Sequence, residues 1–185
     1  MKRTAAIATT AALVLCAAML ALPKGGGPAG ATQSRPAWGE VRWPFPIDQW
    51  GLGKAYLCKA ADCGVEVTLY LRAKIGFCNC SSGVADDEEL DRISDFDLLG
   101  DQMTAIAPGQ PITVAWMKGR SRAFLIGGRQ PLGKSALSVG FNDRCDAIIA
   151  TAVVANSRPA AVEPAVLEFL NSAVVLRWAA VTLGL

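Results

Sequence analysis

Cys58-Lys59-Ala60-Ala61-Asp62-Cys63-Gly64-Val65-Glu66-Val67-Thr68-Leu69-Tyr70-Leu71-Arg72-Ala73-Lys74-Ile75-Gly76-Phe77-Cys78-Asn79-Cys80 holds four of the six cysteines of the chain, spaced C-x4-C-x14-C-x-C. Between them runs the clearest strand pattern in the sequence. Val65, Val67, Leu69, Leu71 and Ala73 alternate with Glu66, Thr68, Tyr70 and Arg72, so one face is dry and the other wet. A half-buried strand of this kind belongs to an antiparallel sheet, and thiols at both of its ends point to a covalent framework.

Upstream, Lys54 to Cys58 is short and strand-like, and Lys59 to Asp62 reads as the turn that joins it to the main strand. Trp38 to Gly53 gathers Trp38, Trp43 and Trp50 around Pro44 and Pro46. Proline keeps this segment out of a sheet centre, and the expectation is an extended strap whose aromatic side chains plug onto the domain. An aromatic patch that binds a peptide or ligand is the sharper alternative.

Downstream, Asp86-Asp87-Glu88-Glu89 has the form of a capping box, with acids at the helix end where the macrodipole favours them; Leu90 and Ile93 would face inward. Ile112, Val114 and Trp116 alternate with Thr113 and Ala115, Lys118-Gly119-Arg120 reads as a turn, and Arg122 to Ile126 as the return strand. Leu137, Val139 and Phe141 alternate again, Asn142 to Arg144 turns the chain, and Asp146 to Val154 is a more continuously apolar strand. Glu163-Pro164 marks a helix start before Val166, Leu167, Phe169 and Leu170. The apolar tail from Ala173 fits a buried helix or a last strand. The expected fold is α+β: a mostly antiparallel sheet of about six strands, a short acidic helix, and a C-terminal helix packed on one face.

Lys2 and Arg3 followed by the apolar run Ala5 to Leu22 and Pro23 read as an export signal. The expected division is a signal at 1–31, cut after Ala31, a Gly/Pro/Ala-rich tether at 32–37, and one domain at 38–185. An uncleaved membrane anchor and lipid attachment at Cys16 are the alternatives, the second disfavoured by Leu15 where a small residue is needed. The expected location is periplasmic or secreted, or the inner membrane if the segment stays.

Loss of Lys2, Arg3 and Lys24 leaves 15 basic against 16 acidic residues, which argues against a nucleic-acid partner. The charges are segregated all the same. Asp86 to Asp101 carries eight acids and only Arg92 among bases, whereas Lys118 to Lys134 carries five bases and no acid. Two solvated faces lying near each other, or a polar partner surface, would explain this.

The chain has no histidine, which removes Ser-His-Asp and Cys-His catalysis and imidazole metal sites. Cys58, Cys63, Cys78, Cys80 and Cys145 remain after cleavage: an odd set that leaves one thiol unpaired in an oxidising compartment. Cys58 and Cys63 flank a four-residue turn, and Cys145 at a loop can reach Cys78 or Cys80, so the expected pairs are Cys58–Cys63 and Cys145 with one of those two. A four-cysteine zinc site fits poorly, since C-x4-C with C-x-C is not a knuckle spacing. A redox-active Cys78-Asn79-Cys80 lacks the C-x-x-C spacing and a βαβ context. Asp95, Asp97 and Gly100 start an EF-hand pattern that fails at Leu99 and Ile106. The pair Asp143/Asp146 is ordinary turn chemistry.

The runs Trp43-Pro44-Phe45-Pro46-Ile47-Asp48-Gln49-Trp50-Gly51, Phe77-Cys78-Asn79-Cys80, Trp116-Met117-Lys118-Gly119-Arg120 and Phe141-Asn142-Asp143-Arg144-Cys145 resemble a family of exported alphaproteobacterial proteins that carry no assigned activity. The resemblance covers most of Trp43 to Leu185 and implies an export context only. Together these readings predict a non-catalytic, disulfide-stabilised binding or accessory domain of the cell envelope. It would have an unknown protein partner and no cofactor, and would meet the membrane only through an uncleaved N-terminal segment. The alternative is a thiol-disulfide or metal-handling protein using Cys78 and Cys80.

Overall fold

The alternation from Val65 onward does become a strand, which runs from Val67 to Lys74 as β3 and sits inside a sheet rather than at its rim. In the computed structural model, which describes residues 36–100, 102–127, 134–155 and 157–185, β3 pairs with β2 (Lys54–Cys58) on one side and β8 (Asp146–Ala155) on the other. The remaining strands are β1 (Trp38–Val41), β4 (Gln102–Ala105), β5 (Gln110–Val114), β6 (Met117–Gly127) and β7 (Lys134–Asp143). They form one antiparallel sheet of eight strands in the order β1-β2-β3-β8-β7-β6-β4, and β5 shares the outer edge of β6 with β4. The helices are α1 (Ala60–Cys63), α2 (Asp87–Ile93), α3 (Pro159–Leu170) and α4 (Ala173–Leu183). This is the α+β architecture expected, with β1 and β4 in addition to the six strands read from the sequence. The expected signal, its cleavage point, Cys16 and most of the tether lie outside the described residues.

One face of the sheet carries the main core. Val67, Leu69, Leu71, Val139, Phe141, Ile148, Ala150 and Ala152 are all fully buried there against Val162, Val166 and Leu170 of α3 and Val175 and Ala179 of α4. The tail after Ala173 is thus a separate helix. Asn171 and Ser172 break it from α3, and the Ser172 hydroxyl accepts the N–H of Val175 at the new helix start. Trp38 stacks on Phe169 with ring centroids 4.9 Å apart, tying β1 to α3 on this same face.

The second face, read as wet, is covered as well. Leu90 and Ile93 of α2 are fully buried against Ala147 and Ile149 of β8, with Cys78 and Val84 beside them. Gly140 makes this possible, because a Cβ there would lie 2.9 Å from the Leu90 Cδ1 atom. The two helical layers therefore lie on opposite faces of the sheet, and polar residues of the strands' second face are trapped between sheet and cover: Arg72 is 1% and Lys74 5% exposed.

Three local readings need correction. The helix expected to start at Glu163-Pro164 starts at Pro159, and Pro164 lies inside its second turn. Lys59 to Cys63 is not a plain turn but leads into the single helical turn α1, closed by Gly64 at φ 74°. Lys118-Gly119-Arg120 is not a turn at all. The hairpin turn is Ala115–Trp116, with Val114 opposite Met117, and Gly119 lies within β6 because a Cβ there would sit 2.0 Å from the Gly140 carbonyl oxygen of β7.

Candidate functional site

The polar residues buried on the second face gather at its β3 end. Arg72 and Lys74 project from β3 at alternate positions, so both side chains point the same way. Asp95, just past α2, takes two hydrogen bonds from the Arg72 guanidinium (Nε 3.1 Å, Nη2 2.6 Å) and an ion pair from Lys74 Nζ at 2.9 Å. The third guanidinium nitrogen, Nη1, donates to Asp48 Oδ2. Asp48 belongs to the strap, where its other carboxylate oxygen accepts the Trp50 N–H at 2.8 Å and its carbonyl accepts the Gly51 N–H at 3.0 Å. Burial alone would push the Asp48 carboxyl up, but the Trp50 N–H and the Arg72 guanidinium together hold it below the usual carboxylate range.

Aromatic rings close the cluster. Trp43 and Phe45 of the strap pack on Tyr70 (centroids 5.9 and 4.9 Å), and Trp50 meets Phe77 at 4.6 Å. Lys74 Nζ lies 5.2 Å from the Trp50 ring and 5.7 Å from the Phe77 ring, and the Arg72 guanidinium lies 5.9 Å from Trp43. The strap thus plugs its rings onto the domain, and it does so over charges. Two cations and two carboxylates offset one another, and each nitrogen of the Arg72 guanidinium and both oxygens of Asp95 are engaged within the cluster. Chemically this is a clasp that fastens the strap to the sheet.

A second ionic group lies at the other end of α2 and accounts for the segregated charge runs. Arg120 Nε donates to Asp87, Arg122 Nη1 donates to Asp91 at 2.6 Å, and the Gly109 N–H reaches Asp87 Oδ2 at 3.0 Å. The acidic helix therefore docks on the basic strand within one domain. The Arg120 guanidinium and the Gly109 N–H hold the Asp87 carboxyl below its ordinary range, whereas burial pushes Asp91 up. At the start of α2, Asp86 caps Glu89 N–H at 2.8 Å as the capping box requires, but Glu89 turns outward to Asn79 N–H (2.8 Å) and Arg92. Asp95, which the EF-hand pattern had singled out, serves the clasp.

The cysteines occupy two places. Cys58–Cys63 bridges the end of β2 to α1 with Cα atoms 6.0 Å apart, and Cys80–Cys145 joins the loop after β3 to the β7–β8 turn with Cα atoms 4.2 Å apart. Cys78 is reduced and buried. With four sulfurs in disulfides, a four-thiolate zinc site is ruled out in this state, and among the described residues no group of three or more carboxylates and thiols is placed to hold a metal ion. Burial, together with Glu89 and Asp146, pushes the Cys78 thiol above its ordinary range. Asp143 and Asp146 face each other as the last pair of the β7–β8 hairpin, where Asp146 accepts the Gly76 N–H at 2.6 Å.

Sequence reasoning missed Arg72 and Lys74 as buried groups. The signal was present in the strap: rings expected to plug onto the domain need a face to cover, and Trp43, Phe45 and Trp50 cover the end of β3 that carries Arg72 and Lys74.

The chain matches no protein-family model, no curated protein and no solved structure.

Proposed function

We propose that this chain is an exported, non-catalytic binding or accessory domain of the cell envelope, and that it takes its protein partner on the outer side of α4. The observation that carries this is a seam on that helix. Val174, Trp178 and Val181 recur at spacings of four and three residues, the pattern by which one helix seats another, and Leu185 follows just past the left-handed Gly184 cap. Val174 is 59% and Val181 78% exposed, while the opposite side of α4 is already used on the sheet. Trp178 between them is partly buried on the core, so what water meets is a pair of exposed valines with one edge of that indole, and exposed apolar groups gathered on one side of a helix mark an interaction surface.

The occupant fitting this seam is an amphipathic helix from another chain with a carboxylate opposite Arg177. A second copy fits worse: Arg177 is the only charged residue of α4 and of the tail after it, so pairing two α4 helices would bring like charges together near their crossing. Two disulfides agree with an oxidising, non-cytoplasmic compartment. The envelope location rests on the basic-apolar N-terminal sequence and on the resemblance to exported alphaproteobacterial proteins.

Photo-crosslinking in the producing cells tests the reading. A photoreactive residue at position 174 or 181 should give one discrete protein adduct that Arg177→Glu weakens, and the same probe at the exposed Asp97 on the other face should not. Equal adducts from all three positions, a dimer-sized adduct alone, or lipid adducts alone would overturn it.

A further inference from the structure

Three cysteines meet at one edge of the second face. The backbone N–H of Cys78 donates to the Cys145 carbonyl oxygen at 3.2 Å, and the Cys78 thiol donates to the Arg144 carbonyl oxygen at 3.2 Å. Arg144 and Cys145 form the two-residue turn between β7 and β8. Cys145 is the residue bonded to Cys80, only two positions along the chain from Cys78. A reduced sulfur is thus laid against the turn that carries one half of a disulfide, and the other half lies in the same short loop as that sulfur.

We infer that Cys78 and Cys80 compete for Cys145, and that this exchange makes Cys80 a site for covalent modification by a disulfide. In the first step Cys78 loses its proton to solvent base. Its thiolate attacks the Cys145 sulfur, the Cys78–Cys145 bond forms, the Cys80–Cys145 bond breaks, and Cys80 leaves as the thiolate. One disulfide and one thiol are present before and after, so no oxidant is consumed. In the second step the Cys80 thiolate attacks a disulfide of another molecule, forming a mixed disulfide and releasing one thiolate of that molecule.

Burial gives the exchange its direction and its gate. Cys78 is 6% exposed and faces the charges of Glu89 and Asp146, so its thiolate is scarce at neutral pH and the resting form keeps the thiol hidden. Cys80 lies in the exposed loop between β3 and α2, where water solvates a departing thiolate. The neighbouring groups fit the same picture. Arg92 reaches over Phe77 and donates to its carbonyl at 2.6 Å, while pairing with Glu89, which accepts the Asn79 N–H at 2.8 Å, so α2 holds the backbone of the loop on either side of Cys78 and leaves the exposed Cys80 side chain outside that clamp. The site is independent of the α4 seam.

The test needs no variant. The oxidised full chain is incubated without denaturant with N-ethylmaleimide, or separately with glutathione disulfide, from pH 7 to pH 9, then digested in acid and mapped. The expected result is the adduct on Cys80 together with a Cys78–Cys145 disulfide peptide, appearing about tenfold faster per pH unit while Cys78 titrates below its pKa. Adduct confined to Cys78 with Cys80–Cys145 intact, or no adduct after a day at pH 9, would overturn the inference. Cys80→Ser adds a second readout: the variant should oxidise to a chain with a Cys78–Cys145 bond and with no free thiol apart from Cys16 of the N-terminal segment. Persistent thiols at both Cys78 and Cys145 in the folded variant would contradict it.

Discussion

Asp95 shows what a single carboxylate does when two cations are buried around it. Arg72 and Lys74 are nearly out of contact with water, and each leans on Asp95. Taking one partner from a buried ionic group leaves charges that nothing solvates, at a cost of about 3 to 5 kcal/mol. Asp95→Ala should therefore lower the unfolding free energy by that amount in a urea titration. Asp48→Ala, at a partly exposed carboxylate, should cost about 1 kcal/mol or less while freeing the strap to proteolysis. The pH dependence follows from the same residues. Asp48, Asp87 and Glu89 have folded values held below their ordinary 3.8, 3.8 and 4.5. Their stabilisation is complete above those values and is lost as pH falls through the lowered ones. Asp91 runs the other way: burial raises it, so the stability of its protonated form is lost as pH rises from 3.8 through the raised value and stays lost above it. The urea midpoint should hold steady at neutral pH and fall below pH about 4; Asp87→Asn should flatten that fall, and Asp91→Asn should steepen it.

At the scale of elements, strands were legible and their covering was not. Period-two alternation marks β3, β5 and β7 because each has one face on the α3–α4 core, and β8 reads as a continuous apolar run because α2 covers its other face. The same rule applied to β3 alone labelled Arg72 as wet, since a charge on a strand normally faces solvent; only the strap and α2, distant in sequence, put it in the dark. Gly119 misled for a different reason. Glycine between Lys118 and Arg120 suggests a turn by local chemistry, yet the constraint comes from Gly140 on the adjacent strand. The true turn residue, Ala115, takes φ 51° without being glycine, so it carried no signal. Two variants separate these roles. Gly119→Ala must push β6 off β7 and should destabilise by about 1 to 3 kcal/mol, with loss of amide protection along both strands. Asp86→Ala removes the cap of α2 and should cost about 1 kcal/mol, with exchange faster only around Leu90 and Ile93.

On the scale of the whole molecule, the two disulfides do unequal work. Two bridges with one thiol left over followed from five cysteines in an exported chain, but which cysteine is left over was not legible, because Cys78 and Cys80 share parity and only the loop after β3 decides which of them meets Cys145. Cys58–Cys63 spans five residues inside one hairpin end, whereas Cys80–Cys145 spans 65 and closes a loop containing α2 and strands β4 to β7. On a chain-entropy account the short loop is worth about 2 kcal/mol and the long one about 4. The long bridge is also the accessible one, since Cys80 is exposed while Cys58 is fully buried. Graded reduction should therefore open Cys80–Cys145 first, and Cys80→Ser/Cys145→Ser should lose about twice the stability lost by Cys58→Ser/Cys63→Ser. The double variants matter, because Cys80→Ser alone leaves Cys78 free to take its place. Equal losses in urea titrations of the two double variants would mean that the long loop stays closed without its bridge, held by the β6–β7–β8 ladder and by the pairing of α2 with Arg120 and Arg122.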